Sequence, residues 1–137
     1  KQKTAYEIMP SLVGSEMCIR DSDIDGTLLD YQHDTIPQSG HKKEHVALAG
    51  AVEKMRQWEM RGCRIIIITG RRESERKRTE EELRYFHIPY DILIMGFADT
   101  GRVLINDIGG QGQCKAHAVS LPRNQGFDKF DWQEVGL

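Results

Sequence analysis

Hydrophobic positions along the chain fall into short blocks separated by polar and turn-forming segments. Arg64-Ile65-Ile66-Ile67-Ile68-Thr69-Gly70-Arg71 and Val103-Leu104-Ile105-Asn106-Asp107 each run apolar and then end in polar groups. Continuous apolar runs suit strands buried on both faces of a parallel sheet. Over residues 50 to 61, Val52, Met55 and Trp58 recur at threes, which predicts a helix with Gly62 as its C-cap and a strand from Cys63 to Ile68. A second helix is predicted from Glu73 to Phe86, with Thr79, Leu83 and Phe86 as a narrow buried stripe and its many Glu, Arg and Lys side chains as a solvated face. Beyond Pro89, Tyr90 to Met95 reads as a third strand, Gly96 to Arg102 as a loop, and Val103 to Asn106 as a fourth strand. Ala116 to Leu121 reads as a fifth strand stopped by Pro122, and Phe130 and Trp132 of the tail are expected to pack back on the domain. Strands alternating with helices predict an α/β fold with a mostly parallel five-stranded sheet and right-handed crossovers.

The first 22 residues break this pattern. A strand leading into Asp23 should be rich in Val, Ile or Leu, yet the positions before it are Arg20, Asp21 and Ser22. Ile8 to Gly14 is too short and interrupted for a secretory signal. Ser15 to Ser22 is similar to a translated library adapter, so residues 1–22 are expected to be a non-native leader and residues 23–137 a single domain. Asp30 to His45 reads as a loop or small hairpin flap. Its histidines, His33, His41 and His45, have no predicted helix to align them and are expected to be solvent-exposed rather than metal ligands. Gly109-Gly110-Gln111-Gly112 lacks the dinucleotide-binding spacing and reads as a flexible loop.

Bulk properties narrow the function. A net charge of -2 gives no drive toward nucleic acid or anionic membrane, and no apolar run approaches the roughly 20 residues that span a bilayer. Three cysteines, Cys18, Cys63 and Cys114, show no CxxC spacing, which predicts reduced thiols and a cytoplasmic setting. The chemistry concentrates in Asp23-Ile24-Asp25-Gly26-Thr27. Residues i and i+2 of an extended chain share a face, so both carboxylates are expected in one cleft, where a hard cation such as Mg²⁺ relieves their repulsion. In open α/β sheets ligands bind beyond the carboxyl ends of strands, where Asp23, Thr69 and Asp107 would all lie.

The ordered set DIDGTL, IIIITGR and LIND resembles the haloacid dehalogenase superfamily of phosphotransferases, over roughly residues 23 to 126. The resemblance implies a Rossmann-like three-layer fold with a minimal or absent cap, the Asp23 strand being central between the Thr69 and Asp107 strands. It implies a Mg²⁺-dependent phosphomonoester hydrolase. Asp23 would be the nucleophile, Asp25 the general acid and base, and Thr69 the hydroxyl on a phosphate oxygen, helped by backbone N–H groups around Gly70, with Arg71 also in the phosphate site. The Asp23 carboxylate, the Asp25 carbonyl and Asp107 would hold Mg²⁺. The superfamily's usual Lys near the fourth strand is missing, because no Lys lies between Lys77 and Lys115; Arg102 or Lys115 is left to supply that charge. Asn106 stands where a second acid is common. The expected substrate is a small phosphorylated metabolite such as a sugar phosphate, with no membrane partner. A nucleic-acid 3′-end phosphatase is the alternative, disfavoured by the near-neutral charge. A non-catalytic module of the same fold, or a phospho-accepting receiver, is the reading from another class.

Overall fold

The computed structural model describes residues 18–32, 44–97 and 100–135. Its sheet has three parallel strands, β1 (Ile19–Ser22), β2 (Arg64–Ile68) and β3 (Ile92–Ile94), in the order β1-β2-β3. Parallel neighbours need a crossover between them. Helix α1 (Ala51–Met60) provides the first, and a 3₁₀ turn (Glu73–Glu75) running into helix α2 (Arg76–Tyr85) provides the second. β2 is the central strand, and its unbroken isoleucines follow from that position: Ile65 and Ile67 are fully buried, and Ile66 and Ile68 half-buried.

Helix α1 buries Met55 and Trp58 of the stripe its threefold spacing predicts, while Val52 is half-buried and Ala51 takes the third buried place. Gly62, at φ +77°, turns the chain out of the helix, and the Cys63 N–H closes it on the Trp58 carbonyl at 3.0 Å. Helix α2 buries only Thr79 and Leu83 of its expected stripe, Phe86 at its end being half-buried, and of the charges expected in solvent Glu82 turns inward to Arg71. The tail returns to the core. The Trp132 ring lies edge-on to Trp58 at 5.2 Å and 5.1 Å from Phe127, and its indole N–H donates to the Phe127 carbonyl.

Four expectations are corrected. Among the described residues the sheet has three strands rather than five. Residues 103–106 and 116–121 form no strand; Val103 and Ile105 are 88% and 87% exposed. The strand leading to Asp23 is an edge strand, and the Thr69 strand is central. The cysteines are not all reduced, since Cys18 and Cys63 form a disulfide across the start of β1 and β2, leaving Cys114 free and exposed. That removes the support the cysteine count lent to a cytoplasmic setting.

The physical reason for the missing fourth strand lies in β1. In the observed register Arg20 stands beside Ile65 and Asp21 beside Ile66. A further strand on the outer edge of β1 would set Val103, Leu104 and Ile105 beside a guanidinium and a carboxylate instead of apolar neighbours. The sheet does begin within residues 19–22, inside the segment expected as a leader. Being at the edge lets β1 tolerate its charges. Asp21 and Ile19 are exposed, and Arg20 lies on the covered face with its guanidinium 5.5 Å from the Trp58 ring. Burial, with Arg61 nearby, pulls the Arg20 pKa below the usual guanidinium range.

Most of the expected flap, residues 33–43 with His33 and His41, lies outside the described residues, as does nearly all of the leader. Among the described residues no helix is long and apolar enough to cross a membrane.

Candidate functional site

Just past β1 the backbone keeps its alternation. Ile24 is wholly buried, while Asp23 and Asp25 on either side of it are half-buried and line one pocket. The same-face placement of the two carboxylates is therefore as expected. Gly26, at φ +86°, then turns the chain through the left-handed region. The N–H groups of Thr27, Leu28 and Leu29 all converge on the Ile24 carbonyl at 2.9–3.2 Å, which fixes the turn.

The second wall comes from the end of β2. Thr69 is buried and its N–H donates to the Ile94 carbonyl of β3 at 2.9 Å. Its hydroxyl accepts the Arg71 N–H at 3.2 Å, and the Gly96 N–H holds the Arg71 carbonyl at 2.8 Å. The Thr-Gly-Arg turn is thus tied on both sides. Asp23, Asp25, Gly26, Thr27, Tyr31, Thr69, Gly70, Arg71, Leu121 and Arg123 enclose a cavity of about 370 Å³.

The Arg71 side chain is the electrostatic hub. Its Nε donates to Asp25 Oδ2 at 2.9 Å and its Nη2 to Asp25 Oδ1 at 2.6 Å, a bidentate pair. Its Nη1 reaches Glu82 of α2 at 2.5 Å and the Thr79 hydroxyl at 3.4 Å. Burial alone would lower the Arg71 pKa. The hydrogen bonds and charges of Asp25 and then Glu82 outweigh it and push the value above the usual range. Behind this pair, His45 sits between Asp30 and Glu82, its Nδ1 3.4 Å from Asp30 Oδ1 and its Nε2 3.9 Å from Glu82 Oε1. It is half-buried, not the exposed histidine expected. Burial raises the Asp30 carboxyl pKa, but the Val46 N–H, the Gln32 amide and His45 together hold it below the usual carboxylate value.

Of the residues singled out from sequence, Asp23, Asp25, Thr69, Gly70 and Arg71 come together. Asp107 and Arg102 do not line the pocket. Asp107 is exposed and paired with Lys115 Nζ at 2.5 Å. Arg102, also exposed, donates to the Ile68 carbonyl at the end of β2, at 3.2 Å. Sequence reasoning missed Tyr31, Leu121, Arg123 and Glu82. The cue for Leu121 and Arg123 was the Pro122-Arg123-Asn124-Gln125-Gly126 run, whose turn chemistry marks a loop but not where that loop lands; Tyr31 lies in the segment expected as a flap.

For Mg²⁺, Asp23 and Asp25 both line the pocket, and both Asp25 carboxylate oxygens are engaged by Arg71. One carboxylate with waters and substrate oxygens is a donor set Mg²⁺ accepts. The third expected ligand, Asp107, is not brought in, and among the described residues no three His, Cys, Asp or Glu side chains form a metal-binding group.

No family profile matches the chain, and no curated protein does. Among solved structures it is similar to a structural-genomics target from Vibrio cholerae, with a TM-score of 0.50 and 18% identity over 87% of this chain and 94% of that one. It is also similar to a chain of the Pnkp1/Rnl/Hen1 complex, with a TM-score of 0.49 and 22% identity over 64% of this chain. The matched part is 30% of that chain, so this protein spans under a third of its length. At 18% identity the likeness to the Vibrio cholerae protein is one of fold alone.

Proposed function

We propose that the protein is a Mg²⁺-dependent phosphomonoester hydrolase of haloacid dehalogenase type, acting on a small phosphorylated metabolite such as a sugar phosphate. The observation that carries this reading is the convergence of Asp23, Asp25, Thr69 and Gly70, from two motifs more than forty residues apart, on one pocket. In this reading an Asp23 oxygen attacks phosphorus and the P–O bond to the leaving alcohol breaks. Asp25 gives that alkoxide its proton, then takes one from the water that hydrolyses the aspartyl-phosphate. Arg71 places one hydrogen bond on each Asp25 oxygen, which leaves a further lone pair on each to carry the proton. The Thr69 hydroxyl donates to a phosphate oxygen while still accepting from the Arg71 N–H. Bound Mg²⁺ would neutralise charge on the phosphoryl group.

The test is release of inorganic phosphate from sugar, nucleotide and 3′-phosphorylated oligonucleotide substrates. Sugar phosphates should be hydrolysed, and turnover should vanish in excess chelator and in Asp23→Asn, whose fold is unchanged by circular dichroism. Turnover surviving in D23N would remove the nucleophile. Turnover confined to the oligonucleotide would favour the 3′-end reading, and no turnover at all would leave a non-catalytic module.

A further inference from the structure

The pocket has a second cation that the motif reading did not supply, Arg123. The other candidates for a phosphate-binding charge are either paired or outside the cavity. Arg71 is shared between Asp25 and Glu82, Lys115 is paired with Asp107, and Arg102 caps the Ile68 carbonyl. Neither Lys115 nor Arg102 lines the cavity. Arg123 does, and among the described residues it forms no ion pair. Its guanidinium instead stacks 4.4 Å from the centre of the Tyr31 ring. That contact fixes the plane of the group without neutralising its charge.

The loop that presents Arg123 is built to hold it there. The Asn124 N–H donates to the Gly26 carbonyl at 2.9 Å. The Asn124 side chain brackets Tyr31, accepting its N–H at 2.6 Å and donating to its carbonyl at 3.3 Å. Asn124 sits at φ +65°, a conformation Asn tolerates better than most residues. Three residues on, the Phe127 N–H donates to the Ala49 carbonyl at 2.7 Å, and its ring is buried. Both sides of the loop are therefore anchored, one to the Asp23–Thr27 turn and one to the start of α1. The Arg123 stem also depends on Gly26. A Cβ at position 26 would meet Arg123 Cγ at 2.9 Å, so the missing side chain admits the arginine.

We propose that Arg123, oriented by Tyr31 and Asn124, is the side chain through which the pocket binds the phosphate dianion of its substrate, in place of the absent lysine. This rests on the phosphomonoester reading above for the identity of the anion. An incoming phosphate meets Asp23, whose charge it must tolerate, and a guanidinium with donors left over after stacking.

The experiment is calorimetric titration of inorganic phosphate into the full chain, with Mg²⁺, for the parent and for R123M, R123K, R102M and K115M. Arg123→Met keeps the stem on Gly26 and removes the charge. It should weaken phosphate binding by about tenfold or more, the scale of a lost charge-assisted hydrogen bond. Arg123→Lys should recover part of that loss, and the Arg102 and Lys115 variants should bind like the parent. If R123M fails to fold, R123Q, which also keeps Cγ, takes its place. Parent-like binding in R123M or R123Q overturns the proposal. So does a larger loss in R102M or K115M, or a parent that binds no phosphate. The two readings separate cleanly, because Arg123-dependent phosphate binding without turnover of any ester would sink the hydrolase and keep the anion site.

Discussion

Arg71 illustrates how much one side chain can determine. It bridges the turn after β1 to helix α2 by satisfying Asp25 and Glu82 together, and it is only 12% exposed. Removing one partner of such a pair leaves the others desolvated without compensation. Arg71→Met is therefore expected to lower stability by about 3 kcal/mol, read from urea unfolding midpoints. Arg71→Lys should recover only part, because an ammonium cannot reproduce a two-pronged hold on Asp25. If R71K unfolds like the parent, the bidentate geometry contributes nothing beyond its charge. From sequence, the Thr-Gly-Arg turn and the Asp pair were readable because they are local: spacing of two puts Asp23 and Asp25 on one face. Glu82 was hidden in a helix full of charges, where nothing local distinguishes the one acid that turns inward. Arg123 was hidden because a loop's landing point depends on anchors, here Gly26, Tyr31 and Ala49, that are remote in the chain.

At the level of elements, β1 departs most from what its position in the sequence suggested. A central strand carrying Arg20 and Asp21 would be severely destabilised, but an edge strand exposes Asp21 and lays Arg20 over Trp58. The two charges therefore differ in cost. The Arg20 Nε is buried without a hydrogen-bond partner among the described residues, whereas Asp21 is in water. Arg20→Leu is expected to raise stability by about 1–2 kcal/mol. Asp21→Thr should change it by no more than about 0.5 kcal/mol, both measured by chemical unfolding. A destabilised R20L would mean that the stack on Trp58 outweighs the buried, unpartnered nitrogen. Helices α1 and α2 and strand β2 were legible because amphipathic spacing and an isoleucine run report burial directly. Val103 to Asn106 carries the same apolar signature as β2 yet forms no strand. Local pattern reports what a segment would do if a matching edge were offered, and the neighbours of Arg20 and Asp21 are not such an edge.

For the molecule as a whole, a small sheet of three strands supports a pocket whose walls come mostly from turns. Its order is fixed by long-range ties: the Cys18–Cys63 bridge, the Asn124 bracket and the Trp58–Phe127–Trp132 cluster. The exposed apolar run at Val103, Leu104, Ile105 and Ile108 has a different consequence, for how the protein behaves in bulk. These side chains find no apolar cover within the described residues, so the same segment of a second molecule is the surface against which they can bury. With a net charge of only -2, long-range repulsion does little to keep two chains apart. Turbidity should therefore climb with protein concentration well below the melting temperature. The double variant V103K/I105K should suppress that rise in light scattering while binding phosphate as the parent does, and equal scattering from both proteins would clear this segment of blame. The shelf life of a clear solution is then governed by crowding of like molecules rather than by heat.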